Sequence, residues 1–159
     1  MSISKTISIL ALAAFLALVL CGCGNTAAAE QKYQKSFKNI WDTLMTQNKK
    51  TTDRSKAALD AGDIPEVTKA YQQLSSDHKA AEKKLKRLKP PDDLKRLHNL
   101  MKTNLRAGYE YADLVVKILG ETDGNYTAEQ EKELKSKEKS WLNAQERVKK
   151  ELKKYFKIQ

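Results

Sequence analysis

The chain has 159 residues, a length suited to one domain with a hydrophobic core, and 31% of them are charged. It contains only six Gly and three Pro and is rich in Lys, Glu, Ala and Leu, which is typical of helical domains and excludes a β-rich or repetitive chain. The formal net charge of +10 favours anionic partners. It does not point to nucleic acid, because Lys alternates with Glu at the i, i+4 spacing of solvated helix faces, as in Glu131 and Lys135.

The first segment combines a basic start at Lys5 with an apolar stretch from Ile7 to Leu20. This stretch of about 14 residues is shorter than the roughly 20 that a helix needs to cross a bilayer. Small residues follow it. The pattern predicts a secretory signal peptide covering residues 1–22.

The signal ends in Leu20-Cys21-Gly22-Cys23, which resembles the lipobox of bacterial lipoproteins, with Leu at minus three, a small residue at minus one and Cys at plus one. The resemblance implies cleavage after Gly22, a diacylglycerol on Cys23, and acylation of the new amino terminus, for example by palmitate. Cys21 is the alternative lipidation site, although it would place the bulky Leu20 at minus one. A Cys-x-Cys disulfide is disfavoured by its geometry. The lipid anchor is then the only covalent group expected, with no other cofactor.

The rest of the chain predicts a tether over residues 23–30 and a helical domain over residues 31–159. Gly62 and the capping pair Asp63 and Glu66 indicate a tight turn, while Pro90-Pro91 and Asp123-Gly124 interrupt the helical pattern twice more. These breaks predict an all-α, antiparallel up-down-up-down four-helix bundle. The predicted helices run from Ala28 to Ala61, Ile64 to Leu88, Asp92 to Leu119, and from a Thr127 cap with Gln130 in a capping box to Lys157.

Each predicted helix has an apolar face, and that of the second helix steps by three and four residues as in a coiled coil. Both Trp residues lie on such faces, and adjacent packing in the core is their expected role. The predicted buried residues are Tyr33, Phe37, Ile40, Trp41, Leu44 and Ala58 in the first helix; Ile64, Val67, Tyr71, Leu74, His78, Ala81, Leu85 and Leu88 in the second; Leu94, Leu97, Met101, Leu105, Tyr111, Ala112, Val115, Ile118 and Leu119 in the third; and Leu134, Trp141, Val148, Leu152 and Tyr155 in the fourth.

A few polar residues interrupt these faces near the middle of the bundle. Antiparallel pairing about each turn places Asn48 near His78, His78 near Met101 and Lys102, and Asn104 near Asn143. The expected polar layer consists of Asn48, His78, Asn104 and Gln145. Hydrogen bonds within such a layer would fix the helix register.

The same residues could instead form a ligand pocket. Small neighbours (Ser55, Ala58, Ala81 and Gly108) would leave room, and Tyr71 and Tyr109 would be its aromatic walls. A metal site is not expected, because neither His78 nor His98 has the Glu three residues earlier that di-iron bundles carry. No catalytic motif is evident, and the chain is not expected to be an enzyme.

These observations predict a lipoprotein on the extracytoplasmic face of the cell membrane, or in the periplasm if there are two membranes. It would act as a non-catalytic binding module. Its expected partners are the membrane, an anionic envelope polymer, lipid head groups or an envelope protein. The alternative is a lipoprotein that binds a small molecule or metal at the polar layer. Beyond the lipobox, the chain has a general likeness to small helical-bundle lipoproteins of unknown function.

Overall fold

The computed structural model describes residues 4–122 and 124–156, with side chains from Ala27 onward. The chain forms four α-helices, and the described residues contain no strand. The all-α fold class is confirmed. The helices are α1 (Ser4–Asp60), α2 (Ile64–Lys86), α3 (Lys95–Thr122) and α4 (Ala128–Tyr155), with a 3₁₀ turn at Asp92–Leu94 before α3.

Several helix boundaries differ from the predicted ones, and α3 begins at Lys95 after a 3₁₀ turn rather than at Asp92. α1 begins at Ser4 rather than Ala28, so the predicted tether, residues 23–30, belongs to this helix. α2 ends at Lys86, two residues before the predicted end. α3 continues to Thr122, because the helical hydrogen bonding passes through Gly120 into part of the predicted loop.

The turn after α1 forms as the sequence indicates. Gly62 has a φ of 70°, the left-handed conformation that glycine adopts at little cost. The backbone N–H of Asp63 donates to Ala58 O at 2.8 Å, which closes a Schellman motif. The Asp63 carboxylate caps α2 by accepting from Glu66 N at 2.9 Å. The predicted capping box is only half formed, because the Glu66 carboxylate pairs with Arg54 instead of turning back to Asp63.

The start of α4 matches its prediction fully. Thr127 Oγ1 accepts from Gln130 N at 3.2 Å, and Gln130 Oε1 accepts from Thr127 N at 2.8 Å. Gly124 in the preceding loop has a φ of 87°. Both halves of this capping box satisfy backbone N–H groups that the first helical turn leaves without partners.

Contacts between consecutive helices show their antiparallel arrangement. Arg54 pairs with Glu66 close to the first turn, and Asn48 contacts His78 farther from it. Between α3 and α4, Tyr155 donates to Asp93 O at 3.0 Å, and Lys137 pairs with Glu110 at 3.2 Å near the other end. In each pair of helices, a lower residue number in the first helix contacts a higher residue number in the second. The helices within each of these two pairs are therefore antiparallel.

The core consists of two apolar clusters at different levels along the bundle. All predicted core positions are buried except Ile64, Tyr71, Leu88, Leu119, Leu134 and Tyr155, which are half-buried. Trp41 and Trp141 are both buried, but they belong to different clusters and are not adjacent. The larger cluster includes Phe37, Trp41, Leu85, Leu97, Met101, Leu105, Val148 and Leu152, and the smaller consists of Leu74, Tyr111, Ala112, Val115 and Trp141.

Candidate functional site

At the boundary between the two apolar clusters, all four helices contribute to one contact region around a buried histidine. His78 of α2 has no exposed surface, and its Nε2 lies 3.0 Å from Asn48 Oδ1 of α1. Its ring meets that of Trp141 of α4 edge-on, with the centroids 5.4 Å apart. Gly108 of α3 completes the level, which we call the polar layer: Asn48, His78, Gly108 and Trp141.

Gly108 is required by the close approach of α2 to α3. A Cβ at this position would overlap Nδ1 and Cε1 of His78 and would lie 3.0 Å from Trp141 Nε1. The imidazole therefore occupies the space where any other residue would place its side chain. A glycine in the middle of a helical pattern was the sequence signal for this contact.

The hydrogen bond to Asn48 defines the state of the imidazole. The carboxamide oxygen of Asn48 can only accept, so Nε2 of His78 carries the proton and Nδ1 has a lone pair. Nδ1 has no hydrogen-bond partner among the described residues, and neither has the Trp141 Nε1–H that lies close to the same glycine. Burial lowers the pKa of His78 to about 4, so the ring is neutral at neutral pH.

The predicted four-residue layer forms in part. Asn48 and His78 are bonded as expected, whereas Gln145 is half-buried and donates to Met45 Sδ at 3.0 Å. Asn104 is fully buried one turn before Gly108, and neither its side-chain oxygen nor its nitrogen has a partner in the described residues. Of the four predicted residues, Asn48 and His78 are thus the two that are linked directly.

The predicted pairing of His78 with Met101 and Lys102 is wrong, because His78 lies against Gly108. The reason is the extended link between α2 and α3. Arg87 and Leu88 still form a turn at the end of α2, and the link then runs through Lys89, Pro90 and Pro91. Extended chain advances about 3.3 Å per residue and helix only about 1.5 Å, so these last residues carry the start of α3 beyond the end of α2. His78 therefore contacts α3 at Gly108, nearly two helical turns beyond Met101 and Lys102, where a tight hairpin would have placed it.

The same displacement changes the aromatic pair. Tyr71 meets Tyr111 rather than the predicted Tyr109, with their hydroxyl oxygens 3.5 Å apart. The ammonium of Lys79 lies over the Tyr109 ring instead, 5.4 Å from its centroid. Burial, with a smaller effect of Tyr71, raises the pKa of Tyr111 above its usual range. Tyr111 is thus uncharged at neutral pH.

A cleft of about 400 Å³ opens beside the layer, between α1 and α4. This volume lies within the range of small-molecule sites, which is about 300–1,000 Å³. Ser55 lines it as predicted, but Gly108 leaves no room because His78 fills its space, and Ala81 packs in the larger cluster. Its wall includes the aromatic side chains of Tyr71, Tyr111 and Trp141, neutral polar residues such as Asn48, Ser55 and Gln145, and the charged residues Lys49 and Glu138.

The chemistry open to this site is binding through aromatic and neutral polar groups, with Lys49 and Glu138 as one cation and one anion in the wall. His78 has no exposed surface and so cannot touch a molecule in the cleft in this arrangement. Within residues 27–122 and 124–156, no three His, Cys, Asp or Glu side chains are placed to hold a metal ion. The absence of a catalytic group and of a cofactor stays a prediction.

Two buried carboxylates were not foreseen. Glu151 is 4% exposed and pairs with Lys154 at 2.8 Å and with Arg96 at 3.6 Å. The hydrogen bond from Lys154 holds the pKa of this carboxyl below its usual range. Glu82 is also buried and pairs with Lys86 at 2.9 Å. Their positions beside Leu152 and Ala81, on the buried faces, were the available sequence signal.

The predicted lipidation residues, Cys23 and Cys21, and the predicted signal peptide, residues 1–22, lie outside the residues whose side chains are described. Within the part of the chain that the structure describes, no helix is both long and apolar enough to span a bilayer. Comparison with known proteins found no matching family model, no similar curated protein and no similar solved structure.

Gly108→Ala should lower the free energy of unfolding by about 1–3 kcal/mol, the usual cost of inserting a methyl group into a packed core. Gly120→Ala is the matched control in the same helix, because nothing lies within 4 Å of its added Cβ. It should be stabilising by about 0.5–1 kcal/mol through helix propensity. Urea unfolding followed by circular dichroism measures both. Equal effects of the two substitutions would contradict the close contact.

The stability of the protein should fall as the pH drops from about 6.5 towards about 4, because the unfolded chain binds a proton on His78 in this window and the folded chain does not. The expected loss is about 2 kcal/mol by about pH 5. His78→Gln should remove most of this dependence whatever its absolute stability, and His98→Gln should keep it. Urea unfolding over a pH series measures the slope. An unchanged slope in His78→Gln would refute the assignment.

Proposed function

We propose that this chain is a membrane-anchored, extracytoplasmic lipoprotein whose helical bundle acts as a non-catalytic binding module at the cell envelope. The observation that carries the proposal is the sequence Leu20-Cys21-Gly22-Cys23 at the end of a short apolar segment. The processed, membrane-anchored form would carry a diacylglycerol on Cys23 and an acyl chain on the new amino terminus. Two or more acyl chains give durable anchoring, whereas one chain binds only marginally.

The position of the core supports this division of the chain. The buried residues of the described core lie between Tyr33 and Leu152. Cleavage after Gly22 would leave all of them in the mature protein, with about ten residues between Cys23 and the first buried side chain. The anchored segment and the folded bundle can therefore serve separate roles.

The positive charge on the surface of the bundle favours a binding role. Its surface carries many Lys and Arg side chains, which attract anionic partners such as lipid head groups, wall polymers or an acidic envelope protein. Its one fully buried imidazole is neutral and serves packing and hydrogen bonding. An anchored protein of this kind would hold a partner close to the membrane.

Intact mass spectrometry of the membrane-extracted protein tests the anchor. The wild-type chain should begin at Cys23 and carry a diacylglyceryl group, and Cys23→Ser should lose both the cleavage and the modification. Cys21→Ser is the control and should be processed like the wild type. An unmodified chain, or one that still carries residues 1–22, would contradict the proposal.

The second candidate function is binding of a small molecule, and the cleft of about 400 Å³ favours it. Its walls of Tyr71, Tyr111 and Trp141 suit a flat, uncharged or aromatic molecule. A metal is the less favoured ligand, since the described side chains provide no cluster of metal ligands.

Titration with benzamide or phenol, followed by nuclear magnetic resonance, tests this candidate. The indole N–H signal of Trp141 should shift while that of Trp41, which lies in the other cluster, should not. Ser55→Phe should block the cleft and abolish the shift, and Ser136→Phe, on the exposed face of α4, should not. Equal shifts of both indoles, or none at the solubility limit of the probes, would reject a specific site.

A further inference from the structure

The charge of the bundle is distributed very unevenly along its axis. The polar layer divides the described domain into two halves. The half that contains residues 27–47, 79–107 and 142–156 has 18 Lys and Arg against 7 Asp and Glu, a net charge of +11. The other, with residues 49–77, 109–122 and 124–140, has 10 against 12, a net charge of −2. We call them the basic half and the distal half.

The unpaired cations are distributed in the same way: among the described side chains, 11 Lys and Arg of the basic half but only four of the distal half have no carboxylate within 4.0 Å. In the distal half, cations such as Arg54, Lys117 and Lys137 each have a carboxylate within 4.0 Å. In the basic half, several exposed lysines have no such partner among the described side chains. They include Lys83 and Lys84 near the end of α2 and Lys150 and Lys153 near the end of α4. Most of the uncompensated charge of the protein therefore lies on the surface of the basic half.

The basic half is also the end at which α1 enters the bundle. Ala29 and Tyr33 lie beside Arg87 and Lys89 of the α2–α3 link. The Tyr33 hydroxyl is 3.1 Å from His98 Nδ1, near the start of α3. The amino-terminal segment and the greatest positive charge are thus at the same end of the molecule.

The distance from the proposed anchor to this end is short. Cys23 precedes Ala27 by four residues. Four residues span about 6 Å as helix and about 14 Å when fully extended. The Debye length in physiological salt is about 8 Å. An anchor at Cys23 would therefore hold the end of the basic half where α1 enters within the electrostatic field of an anionic leaflet.

We propose that the basic half docks on the anionic lipid head groups of the leaflet that holds the anchor, so that the distal half and its turns point away from the membrane. The proposal rests on the proposed lipid anchor for its geometry, whereas the charge difference between the halves does not depend on it. Lipid head groups are favoured over a wall polymer because the short connection from Cys23 places lipid phosphates closest to the end of the basic half that carries Lys32, Arg87 and Lys89. The near-neutral distal half is then left for other partners.

Lysine footprinting of the full-length protein tests the proposal, since lysines occur in both halves. The protein is reconstituted in vesicles of phosphatidylcholine, with or without phosphatidylglycerol, and treated with an amine-acetylating reagent before mass spectrometry. Lys32 and Lys89, which lie at the end where α1 enters, should react at least threefold more slowly in the anionic vesicles. Lys50, Lys56, Lys132 and Lys139 of the distal half should be unchanged. Salt at about 1 M, where the Debye length is about 3 Å, should remove the protection.

Charge reversal provides the matched control. One variant reverses four charges of the basic half: Lys83→Glu, Lys84→Glu, Lys150→Glu and Lys153→Glu. It should abolish the difference in acetylation rate between anionic and neutral vesicles, as measured at Lys32 and Lys89. The same four-residue reversal at Lys50, Lys56, Lys132 and Lys139 changes the net charge equally and should leave the protection intact. All eight side chains are exposed, and circular dichroism checks that both variants stay helical.

The outcomes separate this inference from the proposed function. Retention on neutral vesicles after a salt wash reports the anchor alone. An anchored protein with equal labelling of both halves in both vesicles would overturn the docking but leave the proposed function standing. Loss from neutral vesicles with protection on anionic ones would support the docking and count against the anchor. Equal protection by soluble polyphosphate at matched phosphate would overturn the choice of lipid.

Discussion

The arrangement of the helices depends on the contact between His78 and Gly108. The imidazole of His78 occupies the place where a Cβ on residue 108 would lie. The close approach of α2 to α3 at this level therefore requires glycine there. The ring is fixed from two other sides, by the hydrogen bond to Asn48 of α1 and by the edge-on contact with Trp141 of α4. One side chain thus relates all four helices, and apolar packing above and below it can proceed in a single register.

The polar layer also organises the surface. It divides the bundle into a strongly basic half, through which α1 enters, and a near-neutral distal half. A fixed register keeps the lysines of α2, α3 and α4 together at one end, where a short connection to Cys23 would place them beside a membrane. The cleft next to the layer offers a separate, largely aromatic and polar surface between α1 and α4. The proposed roles of anchoring, membrane contact and ligand binding would therefore occupy different parts of one small domain.

Much of this fold could be predicted because its signals are local. Gly62, Thr127 and the apolar faces act over one or two turns, and they form almost as expected. The α2–α3 register could not be predicted, since it depends on how far the extended link through Pro90-Pro91 advances the chain. For the same reason His78 was assigned to Met101 rather than to Gly108, and the charge difference between the halves was missed. That difference emerges only when residues distant in sequence are brought to the same end.

The most direct test of this account is ¹⁵N nuclear magnetic resonance of the His78 imidazole in the folded protein at neutral pH. The account predicts one neutral tautomer, with a slowly exchanging proton on Nε2 that is hydrogen-bonded to Asn48 and with an unprotonated Nδ1. That tautomer should persist to about pH 5, because burial lowers the pKa to about 4. An imidazole that titrates near pH 6.5, averages between tautomers or carries its proton on Nδ1 would contradict the proposed layer and the register that depends on it.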